Sequence, residues 1–289
     1  MKTSTGIRRI ICVSFILLLF LACEACHSKG GILTPERFFD GQMLALARAI
    51  TKGDAGEIEA LLRQGADPNQ IGREGMTPLI FAYGVGEKKA MVTLLENGAD
   101  PNMRITASHA SEGMKDQSAV TVVAGTPDNE YLKILLDYRG DVNAKNSDGQ
   151  PILITMIFME PGNYAGIDML LKRGADIDAT DSSESTLLMI MARLADFEHV
   201  YDMLQRGADF RKKSMGGFDI SHDVFNYHIN KDEFPEGYEW QRKCKEFLLA
   251  HGVKDPGPLK PKVQTPEEQE EWQRMYNKAL EADIKRRSR

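Results

Sequence analysis

The chain has 289 residues, 42% hydrophobic and 27% charged, an ordinary globular balance that excludes global disorder and a fibrous repeat. Its 36 basic and 42 acidic side chains leave a net charge of −6, without the basic footprint of a nucleic-acid-binding protein. Four cysteines in this length do not make a disulfide scaffold.

The first segment reads as an address. Residues 1–9 carry Lys2, Arg8 and Arg9 and no acid, and in residues 10–22 Ser14 alone is polar. That apolar run is shorter than the ~20 residues that span a bilayer as a helix. After a basic start it has the pattern of a secretory signal, placed at residues 1–22. Phe20-Leu21-Ala22-Cys23 resembles a bacterial lipobox. The resemblance implies a lipid on Cys23, a tether over residues 23–41, and a periplasmic location. Glu24 follows the cysteine where an aspartate would favour the inner membrane, so the anchor implied is in the outer membrane. Cleavage after Ala25, leaving a soluble periplasmic protein, is the alternative. Without residues 1–22 the chain keeps 33 basic and 42 acidic side chains, a balance that suits a solvated surface or a partner with a basic face.

A phrase then repeats. Leu61-Leu62-Arg63-Gln64-Gly65-Ala66-Asp67-Pro68-Asn69 returns with Leu94, Leu135, Leu170 and Met203 as its first residue, and fades at Leu248-Leu249-Ala250-His251-Gly252. Its aspartates, Asp67, Asp100, Asp141, Asp176 and Asp209, are 33, 41, 35 and 33 residues apart. The leucine pair ends a helix on its buried side, and Gly65, Gly98, Gly174 and Gly207 sit where the helix must stop in a left-handed conformation. Aspartate, proline and asparagine turn the chain away. Gly75-Met76-Thr77-Pro78-Leu79 opens the next helix, with Thr77 as cap and Pro78 in the first turn. Equivalent openings read Gln150-Pro151-Ile152 and Ser185-Thr186-Leu187.

Turn, helix, helix, glycine, turn at this period resembles the ankyrin repeat. The resemblance implies an all-α ankyrin-repeat solenoid over residues 42–254, about five to six helix-turn-helix repeats whose neighbours stack into one core. Residues 42–71 are the N-terminal capping repeat and 215–254 an irregular C-terminal one. The third unit carries about eight extra residues, assigned to the polar stretch 106–117, which reads as a partner contact or a loose loop. Residues 255–289 begin with a proline-rich linker (Pro256, Pro258, Pro261, Pro266) and continue as an amphipathic helix. Its stripe, Trp272, Tyr276, Leu280 and Ile284, reads as packing back on the last repeat or as a partner contact.

No nucleophile elbow, zinc-protease helix or phosphate loop appears, so neither a catalytic residue nor a cofactor or metal is assigned. Gly84-Val85-Gly86-Glu87-Lys88-Lys89 reads as a turn between two helices. His222 and His228, with Asp219 and Asp223 nearby, read as surface residues, and a disulfide between Cys26 and Cys244 has no support beyond the count.

In the ankyrin family the first helices and the protruding turns bind other proteins, and the resemblance implies the same here. The turn residues it points to are Arg73, Glu74 and Met76, then Lys145, Asn146 and Asp148, then Asp181, Ser183 and Glu184, then Arg211, Lys212 and Lys213. Phe81 and Phe158 on first helices read as core. An anchored ankyrin protein of the bacterial envelope resembles the periplasmic immunity proteins of type VI secretion effectors, including effectors of phospholipase type. That implies a protein that binds and neutralises a secreted antibacterial effector. An adaptor or helper of a resident periplasmic enzyme is the alternative, and an enzyme the remotest reading.

Overall fold

A computed structural model describes residues 33–257 apart from 107–109, 112, 160 and 161. The expected signal at residues 1–22, Cys23, Cys26 and the amphipathic stretch 265–289 lie outside the described residues. Within them the chain forms thirteen α-helices and one 3-10 turn.

A single turn, α1 (Pro35–Phe38), precedes six antiparallel helix pairs. These are α2 (Gly41–Lys52) with α3 (Ala55–Arg63), α4 (Pro78–Gly84) with α5 (Lys88–Glu96), and α6 (Ala119–Ala124) with α7 (Asn129–Asp137). Next come α8 (Ile152–Thr155), prolonged by the 3-10 turn Met156–Phe158, with α9 (Tyr164–Lys172), and α10 (Leu187–Arg193) with α11 (Phe197–Gln205). The last pair is α12 (Ser221–Asn226) and α13 (Pro235–Ala250). The first helix of each pair packs beside the first helix of its neighbour, as α2 on α4, α4 on α6 and α10 on α12 do, and the second helices form a parallel outer row.

The inner first helices α4, α6, α8 and α10 are predominantly apolar because they lie between two neighbours and their own outer helix; all six residues of α6 are buried. Side-chain caps fix the starts of α4, α6 and α10. Thr77 Oγ1 accepts from Ile80 N at 3.2 Å and Thr186 Oγ1 from Met189 N at 3.3 Å. Ser118 and Thr121 cap each other reciprocally. In the fourth unit the register slips by one residue from the sequence expectation. Pro151 rather than Gln150 takes the cap position, and Pro151 has no side-chain group to donate or accept.

The outer helices end as the repeated phrase predicts. Gly65, Gly98, Gly174 and Gly207 have φ of 99°, 92°, 86° and 90°. The next amide bonds back to the carbonyl five residues earlier, for example Ala99 N to Leu94 O at 3.0 Å. The third unit swaps the two positions: Arg139 adopts the left-handed conformation with φ 68°, and glycine moves to 140. A Cβ at 140 would meet Leu135 O at 2.8 Å and Val120 Cγ2 at 2.9 Å, so close approach decides that residue.

The Asp-x-Asn of the phrase does two jobs. Within its own turn the aspartate accepts from the amide two residues on, as Asp100 Oδ1 does from Asn102 N at 2.8 Å. The asparagine reaches across to the next repeat. Asn102 Nδ2 donates to Arg139 O at 2.8 Å and its Oδ1 accepts from Asp141 N at 2.7 Å. Asn69 makes the same pair of bonds to Gly98 O and Asp100 N. These bonds and the continuous apolar core tie each unit to its neighbour.

The array starts earlier than Gln42. Phe38 and Phe39, placed by the sequence in the tether, are both 3% exposed and meet Phe81 edge-on at 6.2 and 5.5 Å. At the other end Gln241, 2% exposed, donates from Nε2 to Val224 O at 2.9 Å and to Tyr227 O, joining α13 to α12. Cys244 is a buried free thiol that donates to Phe197 O at 3.4 Å. Burial pushes its pKa up to about 12.

Candidate protein-interaction surface

Each first helix from α4 onward is preceded by a protruding turn closed by one backbone bond. The bonds are Gly72 N to Met76 O at 2.7 Å, Asn146 N to Gln150 O at 2.9 Å, Asp181 N to Ser185 O at 3.0 Å and Ser214 N to Phe218 O at 3.0 Å. In the third unit the corresponding closure is Ile105 N to Gln117 O at 2.8 Å, so the extra residues enlarge that fingertip. They do not form a loose loop at their described ends. Ile105 and Met114 are buried, and Ser111 N donates to Glu74 O at 3.2 Å. The enlarged finger therefore lies on the preceding one. A Cβ on Gly75 would stand 3.0 Å from Ile105 and 3.1 Å from Ala110 and Met114.

That placement removes part of the sequence-derived contact set. Met76 is 6% exposed and packs into the core, so it is not a contact residue. Arg73 is spent on α1 and the residues after it: it donates to Arg37 O at 3.0 Å, to Glu36 O and Phe39 O, and to Asp40 at 2.9 Å. Glu74 pairs with Arg37 at 2.9 Å. Asn146 holds its own turn by accepting from Asp148 N and Gln150 N, both at 3.0 Å. Asp181 does the same for Ser183 and Ser185. Burial works to raise the Asp181 carboxyl, but the bonds from Ser183 and Ser185 outweigh it and hold it below the usual carboxylate range. Arg211 stands where the other repeats have Asn or Asp, and reaches His251 O at 3.1 Å; Lys212 Nζ donates to Asp178 O at 2.9 Å.

Arg73 and Arg211 stay exposed but tied down by these bonds; the other exposed members of the set form the C-terminal run of fingertips, Lys145 and Asp148, then Ser183 and Glu184, then Lys213. The last fingertip adds two residues that the sequence reading missed, Met215 at 71% and Phe218 at 45% exposure. Their signal was Met215-Gly216-Gly217-Phe218, at the register of Gly75-Met76 but with apolar residues around two glycines. Met215 N donates to Ser183 O at 3.0 Å, so the last two fingertips are joined.

A second exposed apolar row lies at the far ends of the first helices. Phe158 is 57% exposed, which corrects its placement in the core, while Phe81 is fully buried as expected. Leu194, Tyr227 and Phe234 are also exposed. Among the described residues, every large apolar side chain left exposed lies from Phe158 onward.

On the convex side, a groove of about 300 Å³ runs between α9 and α11, lined by Tyr164, Asp168, Met191, His199, Met203 and Arg206 among others. Its polar groups satisfy one another. Arg206 bridges Asp168 at 3.0 Å and Asp202 at 2.9 Å, and Asp196 binds the Tyr164 hydroxyl at 2.7 Å and His199 Nδ1 at 2.8 Å. Burial and the Asp196 bond push the Tyr164 phenol well above its ordinary value. No three or more His, Cys, Asp or Glu residues converge to hold a metal among the described residues. His222 packs edge-on against Phe218 at 5.0 Å, and Asp219 caps Ser221.

No family model matches the chain. Protein PhlB of Serratia liquefaciens is 27% identical over 197 residues, which covers 67% of this chain and 79% of PhlB. The nuclear factor NF-kappa-B p105 subunit of Gallus gallus is 30% identical over 178 residues, 61% of this chain but 18% of that protein. The crystal structure of the ankyrin repeat domain of Bcl-3 superposes with a TM-score of 0.55 at 21% identity, over 73% of this chain and 86% of that domain. The likeness is one of fold: an ankyrin-repeat array.

Proposed function

We propose that this ankyrin-repeat array binds its partner through the fingertips between Lys145 and Phe218. We further propose that it does so as a periplasmic lipoprotein, anchored through Cys23, that neutralises a secreted antibacterial effector of phospholipase type. The observation that carries the contact surface is the last fingertip. Met215 and Phe218 project as exposed apolar anchors, rimmed by Ser183, Glu184 and Lys213. An apolar centre with a polar rim is the composition of a protein interface. The basic start, short apolar run and Phe20-Leu21-Ala22-Cys23 support export and anchoring. PhlB supports a bacterial setting in which most of such a protein is this array.

The test uses the full chain as bait for secreted and envelope proteins, beside a Met215→Asp/Phe218→Asp variant. The reading expects one secreted hydrolase, inhibited when bound and lost from the variant. A resident envelope protein in its place would assign the chain to an adaptor or helper role. Capture that the double variant leaves intact would remove the fingertips as the contact surface.

A further inference from the structure

We infer that the C-terminal segment, residues 265–289, docks on this chain's own array along the exposed row Phe158, Leu194, Tyr227 and Phe234. This row lies at the opposite ends of the first helices from the fingertips, so the inference does not rest on the fingertip reading.

The row follows the stacking of the array. The 3-10 turn after α8 finishes with Phe158, and α10 and α12 are closed by Leu194 and Tyr227. Phe234 stands at the start of α13. Exposures of 57%, 56%, 45% and 64% leave four large apolar side chains open to water along this edge of the array. The corresponding closing residues of α4 and α6 are Val85 and Gly125, and neither is a large exposed side chain.

Three observations name the occupant. The first is where the described chain stops. Asn226 Nδ2 donates to Gly257 O at 3.0 Å, which fixes the chain beside Tyr227, at the C-terminal end of the row. Residues 258–264 then reach up to ~23 Å when extended, enough to bring the following segment onto the row.

The second is length. As a helix, the stripe from Trp272 to Ile284 covers ~18 Å at 1.5 Å per residue. Three first helices side by side at ~8–10 Å separation set Tyr227 and Phe158 ~16–20 Å apart. The stripe thus matches in span the three residues Phe158, Leu194 and Tyr227, with Phe234 beyond them at the start of α13.

The third is charge. Residues 33–257 carry 24 basic and 35 acidic side chains, whereas residues 258–289 carry eight basic and six acidic, with Lys285, Arg286, Arg287 and Arg289 at the end. A segment running from Tyr227 towards Phe158 brings those cations towards Asp128 at the start of α7, where the neighbouring Glu130 is already paired with Lys88.

Hydroxyl-radical footprinting of the full chain, read by mass spectrometry residue by residue, tests this. Docking predicts slow labelling at Phe158, Leu194 and Tyr227 despite their exposure in the array. In a Trp272→Ser/Leu280→Ser variant their labelling rises several-fold, while Met215 and Phe218 stay unchanged as internal standards. The reverse variant, Leu194→Lys/Phe158→Lys, is predicted to raise labelling at Trp272 and Tyr276; it also guards against the first variant simply misfolding. Fast labelling of the row in the intact chain, indifferent to the tail substitutions, would overturn the inference. Protection that disappears on dilution would assign the row to a second copy of the chain and overturn it equally.

Discussion

The N-terminal and C-terminal halves of this array use the same repeat to opposite ends. In the first half the enlarged third finger packs on the backbone of the first fingertip at Glu74 and Gly75, and Phe38, Phe39 and Phe81 seal the first inner helices. In the second half the fingertips stay uncovered, and the array itself leaves apolar side chains exposed at both ends of the first helices. A stack of repeats needs its ends closed. Here the N-terminal closure draws on Arg37, Arg73 and an aromatic cluster, which leaves the later units free to present side chains.

The comparison breaks most visibly at its two extremes. Phe81→Ala empties the centre of the sealed half and is expected to cost about 3–5 kcal/mol, measured as a loss of denaturation midpoint. A loss under about 1 kcal/mol would mean that the aromatic cluster is not a closed core. Next in size is Asn102→Ala, which removes both bonds to the following repeat; about 1–2 kcal/mol is expected for the pair. In a one-dimensional stack that loss also uncouples neighbours, so the unfolding transition should broaden. Arg139→Gly works in the other direction. Relief of a left-handed arginine at φ 68° is expected to raise stability by up to about 1 kcal/mol in the same assay. Smallest is Met215→Ala, whose 71% exposure predicts a stability change within about 0.5 kcal/mol. A larger change there would show that the last fingertip is structural and would erase the contrast between the halves.

Thiol chemistry sharpens the same picture at the C-terminal cap. Burial that holds Cys244 up to about 12 leaves little thiolate at neutral pH. Alkylation of Cys244 in the native chain should be slow, and should become fast once denaturant opens α13. Rapid native labelling would show that this cap is open in solution.

The architecture was legible because each letter of the repeated phrase has a local cause. Gly98 is needed for a left-handed stop, Asp100 for a turn and Thr77 for a cap, and all three act within a few residues of themselves. What depends on distant residues was not legible. Nothing adjacent to Met76 announces that the finger of residues 105–117 will cover the turn beside it. Arg211 looks like a free cation until His251, 40 residues on, supplies the carbonyl it binds. At Gly140 the distant neighbour is Val120 of α6, whose Cγ2 leaves no room for a Cβ. Phe38-Phe39 was a readable signal, since two adjacent phenylalanines seldom stay in water, but a boundary placed by the repeat alone left them in the tether.

The central claim is that the binding surface belongs to the uncovered half. Its most direct test compares two charge-altering variants of the full chain against the captured partner by titration calorimetry. Glu184→Lys/Phe218→Asp alters the open fingertips, and Lys115→Glu alters the finger that covers the N-terminal one. The account predicts that the first weakens binding at least about tenfold, a change of about 1.4 kcal/mol, while the second leaves it unchanged. Loss of binding in Lys115→Glu with full retention in the fingertip variant would contradict it.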